Sequence, residues 1–145
     1  MKIKKILGIA TLSIFLLGAC SAENKQASIR GRITITSALA PKVNPSDAVY
    51  VFAFSPGSAS DFNTQIPLTV KKITPAVFPL DYQLTQDDIP FPEKRLEGSF
   101  FLMARVDKDG NAKTISKGDL EGFYKKNPAL VGSRHVNILI NKEIP

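Results

Sequence analysis

Ala48-Val49-Tyr50-Val51-Phe52-Ala53-Phe54-Ser55 decides the fold class. Val49, Val51 and Ala53 alternate with Tyr50, Phe52 and Phe54, so both parities of a period-two pattern are apolar. β-Branched and aromatic residues fit a pleated, packed surface, and Pro56-Gly57-Ser58 stops the run. The stretch predicts a strand with two apolar faces. Such a strand either lies centrally under a covering loop or offers its second face to a partner; the covering loop is the simpler expectation.

Further along, Gly98 to Val106 (GSFFLMARV) is a second strand of the same kind. Asp107-Lys108-Asp109-Gly110-Asn111 follows it. That run partly imitates a calcium loop but lacks the third oxygen ligand and the closing Glu, so it reads as a hairpin turn with Gly110 at positive φ. Ala112 to Ile115 is then the expected return strand.

The flanks also alternate. In Ser28 to Ser37, Ile29, Ile33 and Ile35 share one parity, with Arg30, Arg32, Thr34 and Thr36 on the other. His135 to Asn141 (HVNILIN) puts Val136, Ile138 and Ile140 inward and reads as the closing strand. Gln65 to Ile73 and Ala76 to Leu84 predict two more strands. Pro67 and Pro79 remove ladder donors there and mark them as sheet edges or bulged strands. Ala38 to Val43 predicts one helical turn, Gly57 to Asn63 a polar loop, and Lys125 to Pro128 a polar connection. Short strands with Pro/Gly turns and no long helical period predict an all-β, antiparallel sandwich of about seven strands, with a closed barrel as the alternative.

The N-terminus has a different build. Lys2, Lys4 and Lys5 precede an apolar run from Ile6 to Leu17, then Gly18, Ala19 and Cys20, the only cysteine. Residues 6–18 would rise about 20 Å as a helix, short of the roughly 30 Å hydrocarbon core. The segment therefore reads as a secretory signal helix that is cleaved away, not as a stable span. Leu17-Gly18-Ala19-Cys20 resembles the bacterial lipobox. The resemblance implies recognition of Leu17, Gly18 and Ala19 by signal peptidase II and lipidation of Cys20. It also implies a protein anchored to the envelope and facing the periplasm. Ser21, where an Asp would favour inner-membrane retention, leans towards the outer membrane.

The expected organisation is a signal peptide at 1–19, a lipidated Cys and flexible tether at 20–27, and one domain at 28–141. Three of the 19 basic residues lie within 1–19, leaving 16 against 13 acids in the remainder. That balance is spread out, with no basic, aromatic-studded stripe, and gives no support to nucleic-acid binding.

Chemistry has few candidates. His135 is the only histidine and falls on the outward parity beside Arg134, which suits a surface residue better than a general base. Asp87 and Asp88 suit a solvated turn better than a metal site. Asp119 and Glu121 face the same way on an extended segment, as a carboxylate pair would need, but have no visible partner geometry. No catalytic, cofactor-binding or metal-binding residue is expected.

Several stretches together carry a resemblance over residues 28–141. They are Ser28-Ile29-Arg30-Gly31, Ala38 to Val43, Val49 to Ala53, Ile66-Pro67-Leu68, Phe78-Pro79-Leu80, Lys108 to Ala112, and Gly118-Asp119-Leu120-Glu121-Gly122. Their order and spacing are similar to the C-terminal periplasmic, immunoglobulin-like domain of the c-type cytochrome biogenesis factor CycH. In that family the module follows a membrane anchor and a helical tetratricopeptide region; here a lipobox-like segment precedes it. The resemblance implies an immunoglobulin-like fold, and it makes Gly118 to Gly122 a structural turn whose glycines supply unusual backbone angles. It also implies a non-catalytic interaction module, with apocytochrome c or the cytochrome c assembly machinery as partner. The proline-bearing pair 65–84 is the expected edge for adding a partner's strand. An envelope structural or stress lipoprotein, unrelated to cytochromes, is the second reading.

Overall fold

The computed structural model describes residues 27–56 and 66–145. The sequence readings for Leu17 to Cys20, the signal helix, most of the tether and the 57–63 loop lie outside the described residues.

Among the described residues there are nine strands: β1 (Ser28–Ile35), β2 (Ala48–Phe54), β3 (Thr69–Ile73), β4 (Leu80–Thr85), β5 (Ser99–Asp107), β6 (Leu120–Phe123), β7 (Ala129–Leu130), β8 (Ile138–Ile140) and β9 (Lys142–Glu143). They form two sheets. The smaller has the order β4-β1-β8; the larger runs β3-β2-β5-β6-β9, with β7 attached to the start of β5. The immunoglobulin-like β-sandwich is the observed architecture, with β3, β4 and β9 at sheet edges. The ladders are antiparallel except for β1 and β8, which pair in parallel.

The core lies between the inner faces. Ile29 and Ile33 of β1, Val49, Val51 and Ala53 of β2, and Leu102, Ala104 and Val106 of β5 are completely buried there. Leu84, Leu120, Val136, Ile138 and Ile140 join them. Both faces of β2 are buried along its whole length. Its outer side carries Tyr50, Phe52 and Phe54, which pack with Ala48 and Met103 as a second cluster. The rings follow one another at 6.2 and 6.1 Å between centroids, spacings at which aromatic pairs attract. β2 is thus a central strand. The loop between β5 and β6 covers part of its outer face, where the Tyr50 hydroxyl donates to Gly110 O at 3.0 Å.

Several strands differ from the sequence reading: β8 covers only Ile138–Ile140 of the expected 135–141, and β9 follows it. β3 starts at Thr69 and β4 at Leu80, each after its proline, because a residue without N–H cannot join the ladder. Both are edge strands, as the prolines indicate, but they belong to different sheets. Ala112 to Ile115 is not a strand. The Asp109 carboxylate takes hydrogen bonds from Asn111 N at 2.7 Å, Thr114 Oγ1 at 3.2 Å and Ser116 Oγ at 2.8 Å, folding the segment on itself. The antiparallel partner of β5 is instead β6, which pairs Leu120 with Val106 and Glu121 with Arg105. Gly110 does adopt positive φ, at 78°. Ala40–Lys42 forms the short helical turn expected of that stretch.

Candidate functional site

The outer face of the larger sheet is built in rows set by register. Val70, Phe52, Met103 and Phe123 make one row across β3, β2, β5 and β6. Lys72, Tyr50, Arg105, Glu121 and Lys142 make the next, reaching β9. The apolar row is buried in the middle and exposed at its ends, with Val70 and Phe123 each 38% exposed.

The second row is a line of charge laid on aromatic rings. Lys72 Nζ lies 5.9 Å from the Tyr50 ring and the Arg105 guanidinium 5.0 Å from the Phe52 ring, within cation–π range. Lys142 Nζ donates to Glu121 Oε1 at 2.8 Å. Arg105, Asp107, Asp119 and Glu121 are all buried. Arg105 Nη2 donates to Ala112 O at 2.7 Å and lies 3.5 Å from Asp107 Oδ2; its Nε lies 3.8 Å from Asp119 Oδ2. Arg105 Nε and Asp107 Oδ1 have no hydrogen-bond partner. Burial pushes the Asp107 carboxyl above the usual carboxylate range, and the Asp119 charge adds to the shift.

Gly118 to Gly122 meets this cluster at the start of β6. Gly118 supplies the positive φ expected of the turn, 91°. Asp119 then fastens both ends of the long loop, with Oδ1 accepting from Lys108 N at 3.0 Å and Oδ2 from Ser116 N at 2.8 Å. Leu120, Glu121 and Gly122 are strand, not turn. Gly122 is needed for space rather than for an unusual angle: a Cβ there would lie 2.0 Å from Leu139 O, because β8 crosses directly over it. Asp119 is committed to holding the loop backbone beside the buried Arg105, and Glu121 to pairing with the exposed Lys142.

The edge strands expected to accept a partner's strand, β3 and β4, are linked to each other by side chains. Lys71 points towards the inner side of β3 and spans the gap between the sheets. Its Nζ donates to Gln83 O at 2.8 Å and to the Asp88 carboxylate at 2.9 and 3.2 Å. Asp88 also accepts from Thr85 N at 2.7 Å, and Thr69 Oγ1 donates to Asp88 O. The β4 carbonyl at Gln83 is thereby occupied. Asp87 and Asp88 belong to the short helical turn Gln86–Asp88. Among the described residues no group of three His, Cys, Asp or Glu side chains is placed to hold a metal ion.

One contact had no sequence signal. The Asn127 side chain accepts from Leu102 N at 2.8 Å and donates to Leu102 O at 2.9 Å. It acts as a strand partner where β6 has ended and β7 has not begun. A lone Asn in a polar turn gives no hint of this. His135 is exposed, as its parity indicates. Among the described residues no helix is long and apolar enough to cross a membrane.

Residues 29–141 match the family model described as the cytochrome c-type biogenesis protein H Ig-like domain. The chain is 34% identical over 83 residues to a Pseudomonas aeruginosa protein named cytochrome c-type biogenesis protein CycH, a match covering 56% of this chain and 19% of that protein. It is 27% identical over 118 residues to an uncharacterized protein of Aquifex aeolicus, covering 81% of this chain and 73% of that one. The matched region is thus about a fifth of the length of the Pseudomonas relative. No solved structure gives a significant match.

Proposed function

Because the chain belongs to the family of the cytochrome c-type biogenesis protein H Ig-like domain, we propose that it serves c-type cytochrome biogenesis as a lipid-anchored, periplasmic interaction module. The observation that carries this reading is the family match, which runs through nearly all of the folded domain. The module works by binding, with apocytochrome c or a protein of the assembly machinery as partner. Support for a binding role comes from the buried carboxylates: Asp119 is spent on holding the β5–β6 loop, and Glu121 on pairing with Lys142 of β9.

The anchor is Cys20, presented by Leu17, Gly18 and Ala19 after a basic and then apolar leader. Acyl chains contribute roughly 0.8 kcal/mol per buried methylene, so a multiply acylated cysteine holds the protein at the envelope. The outer membrane is the favoured site, because Ser21 is not the Asp associated with inner-membrane retention.

Crosslinking in cells, followed by purification from detergent-solubilised membranes, tests the assignment. Cytochrome c assembly proteins or apocytochrome should be recovered with the intact chain and lost when residues 28–141 are deleted. Recovery of only cell-wall or other envelope partners, with cytochromes unaffected by the deletion, would remove the cytochrome role. Separately, Cys20→Ser should release the domain from salt-washed membranes or leave an uncut precursor. A mature-sized chain that stays in salt-washed membranes would count against lipidation.

A further inference from the structure

The outer face of the smaller sheet holds an open cleft of about 620 Å3. Its floor is β1, where Ile29 and Ile33 turn into the core and Arg30 and Arg32 turn out. One wall is β4, with Gln83 opposite Arg30 and Asp81 opposite Arg32. The other wall is the segment entering β8. Arg30 N donates to Ser133 O at 2.9 Å, and Val136 N donates to Arg30 O at 2.9 Å. A regular parallel ladder would use a carbonyl and an amide two residues apart. Here they are three apart, so one extra residue stands opposite Arg30. This bulge brings the consecutive side chains of Arg134 and His135 to the rim beside Arg30, all three lining the cleft. Asn137 Oδ1 accepts from Arg32 N at 3.0 Å and closes the end.

The cleft carries more positive charge than it balances. Asp81 takes the Arg32 fork at 2.7 and 3.2 Å and is itself held below the usual carboxylate range by that bond. Among the described residues, no carboxylate pairs with Arg30 or Arg134. Three guanidinium groups therefore face one acid. Guanidinium forks match the oxygens of a phosphate, and a cleft lined by one sign of charge raises the local concentration of the opposite one. The cleft is large enough to take a substituted phosphate as well as a bare ion.

Position selects the source of the phosphate. Arg30 lies ten residues beyond Cys20, a span of at most about 36 Å for an extended chain. A domain anchored at Cys20 therefore keeps this cleft within reach of the lipid headgroups. We infer that the cleft of Arg30, Arg32, Arg134 and His135 seats the phosphate of an anionic phospholipid headgroup, holding the β1–β4 face against the bilayer. The choice of lipid rests on the anchor reading; the anion chemistry does not.

The test uses the chain from residue 20 onward with Cys20→Ser, which keeps every described element and removes any acyl chain. It should co-sediment with vesicles of phosphatidylethanolamine and phosphatidylglycerol, and not with pure phosphatidylcholine. Raising salt to roughly 0.5 M should release it. Arg30→Gln with Arg134→Gln should lower partitioning by roughly tenfold or more. Arg30→Lys with Arg134→Lys keeps the charge without the fork and should bind more tightly than the Gln pair but less tightly than the parent, and a thermal transition like the parent's in both pairs shows that they still fold. Lys113→Gln with Lys117→Gln changes charge equally on the loop over the other sheet and should bind as the parent does. An equal loss in both Gln pairs, or no loss in the arginine pair, overturns the proposal. So does release by millimolar inorganic phosphate, which would make free phosphate the ligand, or binding to an acidic peptide but not to vesicles. Failure of the anchor reading shows instead in the Cys20→Ser membrane fraction, which this vesicle measurement does not depend on.

Discussion

Gly31 shows how one missing side chain fixes the smaller sheet. A Cβ there would sit 1.9 Å from Val136 O and 3.0 Å from Tyr82 Cε1. That carbonyl is also the acceptor for the buried Tyr82 hydroxyl at 2.7 Å. Gly31→Ala should therefore push the 133–137 segment away, break the tyrosine bond and cost on the order of 3 kcal/mol. Gly132→Ala, where φ is 97° and no atom lies within 4 Å, should cost only about 1–2 kcal/mol. Urea midpoints with unchanged slopes would measure both, and equal losses would contradict the steric account.

Asp107 gives a pH signature. Its carboxyl is raised by burial first, then by Asp119 and Asp109, so the folded state keeps a proton that the unfolded chain has already released. Stability contributed by this residue is present below the ordinary Asp value and falls as pH rises through the raised one. Asp81 and Asp109 are lowered and act oppositely, losing their contribution as pH drops below about 4. Asp107→Asn removes the first effect and leaves the main partners of Asp81 and Asp109, which are Arg32 and Ser116, in place. Its gain in unfolding midpoint over the parent should be larger at about pH 7 than at about pH 4; a gap that does not change with pH would contradict the shift.

Among the elements, the clasp from β3 to β4 makes the sharpest claim. Lys71→Val keeps a strand former in β3 but leaves the Gln83 carbonyl and the Asp88 carboxylate without their cation. The expected loss is about 1–3 kcal/mol. The freed edges should also let the protein self-associate with rising concentration, which sedimentation would detect. A variant that stays monomeric would show that the edge is guarded by other means.

These elements also show what the chain discloses before it folds. β1, β2 and β5 are legible because their apolar parities are long and unbroken. β6 is not legible: Leu120 is the only large side chain it sends into the core, Gly122 leaves room for β8, and Glu121 is buried with its carboxylate paired to Lys142. Burial by charge pairing imitates exposure in a sequence. The 112–115 segment misleads in the opposite way, because Asn111 takes the Lys113 and Thr114 amides that a ladder would use, while Asp109 holds the Thr114 hydroxyl. The cleft is hidden for a third reason. Arg30 and Arg134 each look like ordinary solvated residues, and only the ladder between β1 and the segment before β8 brings them together.

For the molecule as a whole, the last strands close what the first begins. β8 pairs with β1, Ile138 bridges to Tyr124, and Asn141 N donates to Glu121 O at 3.1 Å, so one short strand ties the two sheets together. Ile138 and Ile140 are completely buried. A chain ending at Asn137 should therefore lose its cooperative thermal transition and its near-ultraviolet circular dichroism, although β1 to β7 remain. A sharp transition in that truncation would show that β8 is dispensable.

The parallel course of β1 and β8 has a mechanical consequence. A pull delivered through the residues before Ser28 enters at Ser28 and runs along β1, which is flanked by β4 on one side and β8 on the other. Such a load strains both neighbouring ladders in shear, many bonds at once, instead of peeling them apart one at a time. A body moored by its leading strand can be tugged by whatever it grips without unravelling from the mooring end.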